Sequence, residues 1–343
     1  MATTVTFGEI MLRLTSPGFE RLLQSPALHA TFGGGEANVA ASLAAFGLPA
    51  AFVTVLPEAN PLGDAAVGEL RRLGVDTSRI VRARGRMGIY FLEAGASQRA
   101  SRVVYDREHS AFARAEAGSI DWTSALDGAG WLHVTGITPA ISEATAALAI
   151  DAVRAARTMG LTVSCDLNFR KTLWTWGKPA AAVMPEIVRA TDVLIANEED
   201  VQMALGLTAD VDVHTGTLDR TSYRHLAEAV VREYPHLRAV AITLRESKSA
   251  SHNVWSACLY DGREFLLSRT YDITHIVDRV GAGDSFAAGL IYGMQTGLAS
   301  QAALEFAAAA SCLKHSIPGD INRIGVGEVR TLLAGDGSGR VQR

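Results

Sequence analysis

Short apolar runs alternate with longer alanine-rich amphipathic stretches along most of this 343-residue chain. The apolar runs have the length and composition of buried strands, and they cover 50–56, 131–135, 161–166, 193–196 and 240–244. The amphipathic stretches favour helices, and they cover 37–46, 65–73, 143–159, 180–190 and 223–234. This alternation predicts a mostly parallel sheet covered by helices on both faces, in which ligands bind at the carboxyl ends of the strands.

Two segments, 11–32 and 85–107, lack the helical period and interrupt the alternation. The second is typical of a β-hairpin, so we expect both segments to form a small lid sheet over the site. The whole chain then forms a single domain at 1–334, followed by a flexible glycine-rich tail at 335–343. An apolar face on the lid would favour a homodimer or a larger homo-oligomer.

Composition and charge narrow the choice of partners. The net charge is −4 and no basic patch stands out, so we expect no nucleic-acid partner. No run approaches the roughly 18 apolar residues of a membrane-spanning helix, so we expect no membrane partner either. The N-terminus has the pattern of a strand at 5–14 and not of a signal peptide. Cys165, Cys258 and Cys312 are scattered and typical of free thiols, which indicates a cytoplasmic protein.

A glycine-rich segment that ends in an acid, 278–284 with the sequence DRVGAGD, precedes an apolar helical pattern that ends near Gly297. A helix that begins here directs the backbone N–H groups of Gly281, Ala282 and Gly283 at one point, where they attract an anion. Asp284 lies at the same point. A carboxylate beside an anion site is unfavourable unless it takes a proton from a group that attacks the anion. The segment therefore predicts phosphoryl transfer to an alcohol, with Asp284 as the base.

A second glycine cluster, 33–38 with the sequence GGGEAN, opens the first predicted helix. Glycine lets the backbone approach a ligand closely, and Asn38 offers both a donor and an acceptor. We therefore expect Gly34 and Asn38 to bind hydroxyl groups of the substrate. The alternative is a tight turn with a capping residue, which is the common use of glycine clusters.

Polar residues follow the strand predicted at 161–166. Asp166, Asn168 and Arg170 share one side of the extended chain and point toward the expected crevice. Arg170 and Arg107, at the end of the lid hairpin, could together hold a carboxylate, since guanidinium groups bind carboxylates in a bidentate manner. The alternative is a solvated loop with surface ion pairs.

An acidic cluster, 197–200 with the sequence NEED, follows the strand predicted at 193–196. Such a cluster could hold a hydrated Mg²⁺, which keeps several waters and needs few protein carboxylates. The alternative is an acidic first turn of a helix, which the helix dipole favours.

The chain lacks a P-loop and the protein-kinase signatures. Taken together, its motifs resemble those of the ribokinase-like (PfkB) carbohydrate kinase family over roughly residues 3–333. The segment 34–38 is similar to the family's N-terminal glycine signature, and 278–284 is similar to its C-terminal signature, which ends in the catalytic acid. The segment 197–200 is similar to its Asn-x-x-Glu motif, with Asp200 in place of Glu. The resemblance implies a three-layer α/β/α ribokinase-like fold, a mostly parallel central sheet and a small β-sheet lid.

Within that family the chain is most similar to the kinases that act on 2-keto-3-deoxygluconate. That resemblance implies that the sugar acid contacts Tyr90, Tyr105, Arg107, Arg170 and Asp320, besides Gly34, Asn38 and Asp284. It implies ATP contacts at a larger set of positions, which are Asn168, Asn197, Thr243, Arg245, Ser247, Gly281, Gly283 and Ala308. The sequence at 243–249, TLRESKS, lacks the glycines that the family usually has in its ATP loop, so that loop takes another shape here.

The expected reaction is phosphorylation of the terminal hydroxyl of the sugar acid by ATP, catalysed by Asp284 with Gly281, Ala282 and Gly283. Mg²⁺ is held mainly by the phosphates, with Asp200 as a ligand through water, and a requirement for a monovalent cation stays open. The first alternative is a neutral-sugar kinase of the same family, such as a fructokinase or a ribokinase. The second is a non-catalytic sensor of sugar acids, because a fold alone does not fix a function.

Overall fold

A computed structural model describes residues 1–207 and 220–337. The strands of this part of the chain are β1 (Thr3–Phe7), β2 (Met11–Thr15), β3 (His29–Gly33), β4 (Ala50–Val53), β5 (Val55–Pro57), β6 (Val81–Ala83), β7 (Ile89–Glu93), β8 (Arg102–Asp106), β9 (Ala129–Thr135), β10 (Thr162–Asp166), β11 (Val193–Ala196), β12 (Ala239–Ser249), β13 (His252–Tyr260), β14 (Phe265–Leu267) and β15 (Tyr271–Ile273).

The helices of the described residues separate most of these strands. They are α1 (Gly35–Ala45), α2 (Pro61–Arg72), α3 (Trp122–Ala125), α4 (Ile137–Ile141), α5 (Glu143–Thr158), α6 (Ala180–Val188), α7 (Glu198–Leu205), α8 (Arg220–Glu233), α9 (Ala282–Gln295), α10 (Ser300–Lys314) and α11 (Val326–Leu333). None of them is both long and apolar enough to cross a bilayer.

The central sheet has nine strands and is mostly parallel. Its order is β14-β13-β12-β11-β10-β9-β1-β4, and β15 pairs with β13 beside β14. Six neighbouring strands of this sheet run parallel, in the order β12-β11-β10-β9-β1-β4, whereas β13 is antiparallel to β12. The carboxyl ends of the parallel strands therefore meet at one edge of the sheet, as the alternation of apolar runs predicts.

Helices cover both faces of this sheet and bury a separate core on each side. One core includes Leu148 of α5 and Ile187 of α6, which pack with Val163 of β10. The other includes Leu43 of α1 and Phe286 of α9, from the far side of the sheet. The predicted three-layer fold is confirmed.

A smaller sheet lies outside the three layers. Its order is β3-β2-β7-β8, with β2 parallel to β7 and the two outer strands antiparallel to their neighbours. Val103, Val104 and Tyr105 of the outer strand β8 are each at least 40% exposed. We call this four-stranded layer the small sheet; it is built from the two segments that lack a helical period.

The N-terminal strand predicted at 5–14 is wrong in its extent. The chain forms β1 in the central sheet, leaves it at 8–10, and forms β2 in the small sheet. Gly8 lies at the exit, where a Cβ atom would collide with the buried carboxylate of Glu36. Periodicity alone cannot show this break, since both halves are equally apolar.

Most predicted helices and strands of the core match the structure to within a few residues at their ends, a normal uncertainty. The single strand predicted at 50–56 is wrong, because this segment forms β4 in the central sheet and then β5, which pairs with β6 in a separate sheet. The start of the predicted tail, 335–337, continues from a turn after α11, and residues 338–343 lie outside the described part of the chain.

Candidate active site

A cavity of about 410 Å³ opens between the carboxyl ends of the central strands and the small sheet. Most of the predicted site residues line it. They are Gly34, Asn38, Tyr90, Tyr105, Arg107, Asn168, Arg170, Asn197, Asp200, Thr243, Arg245, Gly281, Ala282, Gly283, Asp284 and Asp320. Residues as far apart in sequence as Gly34 and Asp320 thus face one cavity.

Asp284 lies in the first turn of α9, where the cavity reaches the N-terminus of that helix. The first backbone N–H groups of a helix have no acceptor within it, so this turn is an anion-binding surface. The N–H of Ala282 makes a long turn bond of 3.3 Å to the carbonyl of Arg279. Gly283 has no atom within 4 Å of the place where a Cβ would stand, so an anion can approach the turn closely.

Gly281 shapes the entry to this helix. Its φ is 84°, a left-handed conformation that favours glycine, and a Cβ atom there would collide with the carbonyl oxygen of Asp320. The glycine therefore allows two loops to touch. One is residues 278–283, which we call the anion loop, and the other carries Asp320.

The carboxyl group of Asp284 is buried and held by Asn38 of α1, whose Nδ2 donates to Asp284 Oδ2 at 2.7 Å. Burial raises the pKa of Asp284 to about 6, against the hydrogen bond from Asn38, which lowers it. The nearby charge of Asp320 raises the pKa further, while Arg170 and Lys314 lower it. A carboxyl group with this pKa is mostly ionised at neutral pH yet basic enough to take a proton.

Asp166, the last residue of β10, lies near both Asp284 and Asp200, and Asp200 belongs to the first turn of α7, which follows β11. Burial raises the pKa of Asp166 well above its usual value, and the charges of Asp200 and Asp284 add to the effect. Burial also raises the pKa of Asp200 to about 6. The ion pairs of the described residues do not include any of these acids. The charge of the exposed Arg170, which lines the same cavity, lowers the pKa of all three.

Asp200 also caps helix α7. Its Oδ2 accepts from the N–H of Asn197 at 3.1 Å, its Oδ1 accepts from the N–H of Phe169 at 2.9 Å, and Asn197 Oδ1 accepts from the N–H of Asp200. This capping box is the structural alternative for the acidic cluster. Outer lone pairs of the carboxylate stay available to a metal-bound water, so the role of Asp200 toward Mg²⁺ stays a prediction. Within 1–207 and 220–337, His, Cys, Asp and Glu form no group that could cage a metal directly.

Arg107 lies at the end of β8 and is already paired with an internal carboxylate. Its Nε and Nη2 donate to Glu9 Oε2 at 2.9 and 2.5 Å, and Ser110 Oγ donates to Glu9 Oε1 at 2.6 Å. Both Arg107 and Glu9 are buried. The predicted carboxylate-binding arginine is therefore fixed in orientation before any substrate arrives, and only its remaining N–H groups can serve a ligand.

A larger buried network lies beside this pair. Arg13 of β2 donates from Nη1 to Asp320 and from Nη2 to Asp278 Oδ2, the second at 2.5 Å. Tyr90 of β7 donates its hydroxyl to Asp320 Oδ2 at 2.6 Å. A Cβ at Gly33 would reach both Tyr90 and Asp320, which explains a glycine there. The network ties the small sheet to the anion loop.

Glu36, in the first turn of α1, is a further buried acid that lines the cavity. Its Oε1 accepts from Thr135 Oγ1 at 2.8 Å and from Thr138 Oγ1 at 2.9 Å. Burial raises the pKa of Glu36 to about 7. The residue fastens the glycine cluster to the carboxyl end of β9.

The segment at 243–249 is the outer part of strand β12, which pairs with β13 and not with a ligand loop. Thr243 and Arg245 reach the cavity, whereas Ser247 faces Asn253 across the hairpin and does not line it. Ala308 is fully buried inside α10 and also stays off the cavity. Direct contacts from Ser247 and Ala308 to ATP stay predictions that this geometry does not support.

Sequence reasoning missed Glu9 and Arg13 as residues of the site, and it named Glu36 only as part of a motif. Glu9 follows Gly8 just after the carboxyl end of β1, a central strand, so its position was a usable signal. Arg13 alternates with apolar neighbours inside a strand and gave no such signal. Asn168 was expected at the site, and its Oδ1 is buried without a hydrogen-bond partner among the described residues.

The chain matches a family model described as pfkB family carbohydrate kinase over residues 1–324. A solved structure of 2-dehydro-3-deoxygluconokinase from Thermotoga maritima is 50% identical, with a TM-score of 0.92, over 97% of this chain and 100% of that one. The 2-dehydro-3-deoxygalactonokinase of Haloferax volcanii is 29% identical over 98% of both chains. The 2-dehydro-3-deoxygluconokinase of Bacillus subtilis is 26% identical over 93% of this chain and 91% of that one.

Proposed function

We propose that this chain, which belongs to the pfkB family of carbohydrate kinases, phosphorylates 2-keto-3-deoxy-D-gluconate, also called 2-dehydro-3-deoxygluconate, at its terminal hydroxyl. The products are ADP and 2-keto-3-deoxy-6-phosphogluconate. The observation that carries the proposal is Asp284, a buried carboxyl group that lines the cavity at the open first turn of α9 and is oriented by Asn38.

The chemistry follows from this geometry. Asp284 takes the proton of the terminal hydroxyl as the oxygen forms a bond to the γ-phosphorus, and the bond from that phosphorus to the ADP oxygen breaks. The N–H groups of Gly281, Ala282 and Gly283 stabilise negative charge on the transferring group. Asn38 engages Oδ2 of Asp284, and no hydrogen bond of the described residues occupies Oδ1.

ATP fits the part of the cavity between β11, β12 and the anion loop. Asn168, Asn197, Thr243 and Arg245 line this part. Buried carboxyl groups at Asp166 and Asp200, without an ion-pair partner in the described residues, suit a hydrated cation better than a bare anion. Mg²⁺ bound to the phosphates would shield their charge, with Asp200 as a ligand through water.

The sugar acid fits the part of the cavity under the small sheet. Tyr105 and Arg107 lie on or beside β8, and Gly34 and Tyr90 lie closer to Asp320. The free N–H groups of Arg107 and the exposed guanidinium of Arg170 can meet the carboxylate of a sugar acid. Identity of 50% with a protein named for this substrate supports the choice over a neutral sugar.

A second candidate substrate is the galactonate epimer, because a relative similar over 98% of the chain is named 2-dehydro-3-deoxygalactonokinase. The two sugar acids share the carboxylate and the terminal hydroxyl, so the same Asp284 chemistry serves both. Discrimination between them depends on hydroxyl contacts such as those of Gly34 and Asn38.

We further propose a homodimer or larger homo-oligomer through the small sheet, and a cytoplasmic location. The exposed valines of β8 support the first. The need for ATP supports the second.

A substrate panel tests the proposed function. ADP release by the purified protein is measured with 2-keto-3-deoxygluconate, its galactonate epimer, fructose, ribose and adenosine. We expect the highest kcat/KM with one of the two sugar acids. A higher kcat/KM with fructose or ribose would indicate a neutral-sugar kinase, and sugar-acid binding without ADP release would indicate a sensor.

A further inference from the structure

Lys314, the last residue of helix α10, is a buried charge that the reaction described above does not use. Its side chain is fully buried, and its Nζ donates to the carbonyl oxygens of Ile317 at 3.1 Å and of Asp278 at 3.3 Å. No carboxylate of the described residues forms an ion pair with it within 4 Å. A buried ammonium group held by backbone carbonyls alone resembles a bound monovalent cation more than it resembles a salt bridge.

The two carbonyls belong to the two loops that shape the site. Asp278 begins the anion loop, and Ile317 lies in the bend at 317–321 that follows α10 and includes Asp320. Further backbone hydrogen bonds link the start of the anion loop to the end of α10. The N–H groups of Val277 and Asp278 both donate to the carbonyl oxygen of His315. Lys314 therefore lies where the anion loop, the loop that carries Asp320 and α10 meet.

A lysine in this position costs stability. Removing an ammonium group from water is costly, and apolar residues of similar size often stabilise a buried site as well or better. Burial lowers the pKa of Lys314, while the charges of Asp278, Asp320 and Asp284 raise it and Arg13 lowers it. The acids around Lys314 thus oppose the effect of burial on its pKa.

We propose that the Lys314 ammonium is a permanently attached cation that positions the anion loop, so that phosphoryl transfer needs no added monovalent cation. The charge holds the carbonyls of Asp278 and Ile317 together, which keeps the N–H groups at the start of α9 aimed at the phosphate. Lys314 is a positioning residue, since it acts through the loop. This inference rests on the proposed function and answers the question of a monovalent cation, which the sequence left open.

The proposal predicts how the wild-type enzyme responds to salts. ADP release with the sugar acid is measured in K⁺, in Na⁺ and in tetramethylammonium, an ion too large for a carbonyl site, at an equal ionic strength of about 0.1 M. We expect the same kcat in all three. Stimulation by K⁺ of about tenfold or more, the effect of one strong interaction, would overturn the proposal.

Two substitutions separate charge from volume. Lys314→Ala leaves room for a small ion, whereas Lys314→Met fills the space with an apolar chain. We expect kcat to fall about 10- to 100-fold in both, the range for losing charged hydrogen bonds. Added ammonium or K⁺ should restore activity to Lys314→Ala and not to Lys314→Met. Lys178→Ala, which removes an exposed lysine beside Glu143, is the matched control and should not respond.

The pH profile gives a readout that a purely structural role would not move. Lys314 lowers the pKa of Asp284, which also faces Asn38, Asp320, Arg170, Asp166 and Glu36. In Lys314→Met the acid limb of kcat/KM should therefore move to higher pH. An unchanged limb with an unchanged kcat would overturn the proposal.

Melting temperatures keep this test separate from the proposed function. Ammonium or K⁺ should raise the melting temperature of Lys314→Ala and leave that of the wild type and of Lys314→Met unchanged, whether or not a substrate is present. If the wild type releases no ADP with any sugar acid, the proposed function fails. If no added ion stabilises Lys314→Ala, the cation site fails, whatever the substrate panel gives.

Discussion

The two halves of the cavity handle buried charge in opposite ways. Under the small sheet, each buried carboxylate has an arginine partner: Glu9 pairs with Arg107, and Asp278 and Asp320 pair with Arg13. We call this the paired half.

The other half of the cavity lies beyond the ends of β10 and β11 and at the start of α9. Asp166, Asp200 and Asp284 are buried there, and no ion pair of the described residues includes them, so burial raises the pKa of each. We call this the unpaired half. Paired charges fix the positions of side chains, whereas unpaired acids can accept protons and attract a cation that arrives with its ligand. We infer that the paired half holds the sugar acid and that the unpaired half carries out the transfer.

The largest expected effect comes from removing a carboxylate of the unpaired half. Asp284→Asn keeps the shape of the side chain but removes the base, so turnover should fall by about 10²- to 10⁴-fold, the usual contribution of a positioned base. Steady-state ADP release with saturating sugar acid and ATP measures this. Asp76→Asn, at an exposed acid near the surface pair with Arg79, is the control and should keep normal turnover.

The next largest effect is expected from removing an arginine of the paired half. Arg13→Met leaves Asp278 and Asp320 buried without their cation, which should lower the free energy of unfolding by about 3–5 kcal/mol. Urea denaturation of the free protein measures it. Removing the exposed partner in the pair Arg154–Glu186, by Arg154→Met, should change the same quantity by less than about 1 kcal/mol. Equal losses in the two variants would contradict the distinction between buried and surface pairs.

Arg107 tests whether the paired half binds the sugar acid, because it belongs to that half and still has free N–H groups. Arg107→Ala should raise KM for the sugar acid about 10- to 100-fold, by losing a charged contact, and should affect a neutral sugar far less. The variant also leaves Glu9 unpaired, which would repel a carboxylate.

Glu9→Gln separates these two causes. It removes the internal carboxylate and keeps Arg107, so KM for the sugar acid should stay equal or fall. A similar rise of KM for acid and neutral sugars in Arg107→Ala would argue against recognition of a carboxylate by this arginine.

The smallest effect concerns pH. Asp284 must be ionised to take a proton, and its pKa is raised to about 6, so kcat/KM should fall as the pH drops through about 6. Glu36, whose pKa is raised to about 7, is another group whose protonation would lower kcat/KM in this range and so produce the acid limb of the pH profile. In Glu36→Gln the limb should remain near pH 6 if Asp284 causes it. Loss of the limb in that variant would assign it to Glu36.

Much of the fold was predictable because its signals are local. The apolar run at 193–196 and strand β11 coincide, and the amphipathic stretch at 143–159 and helix α5 differ by one residue. The same is true of the anion loop, since a glycine-rich turn, a helix start and Asp284 all lie within one short segment.

The partners of the charged residues were not predictable, because they come from distant parts of the chain. Glu9 and Arg107 are 98 positions apart, and Arg13 and Asp320 are 307 positions apart. No periodicity or motif indicates that an arginine is already neutralised by an internal acid. Arg107 was expected to hold the carboxylate of the substrate together with Arg170, and the structure pairs it with Glu9.

The most direct test of this division of labour is calorimetric binding of 2-keto-3-deoxygluconate to Asp284→Asn, on the same preparation whose turnover is measured. The account predicts that the variant binds the sugar acid with nearly the wild-type dissociation constant while it releases ADP at least about a hundredfold more slowly. Near-normal turnover of the variant, or loss of sugar-acid binding that matches the loss of turnover, would contradict it.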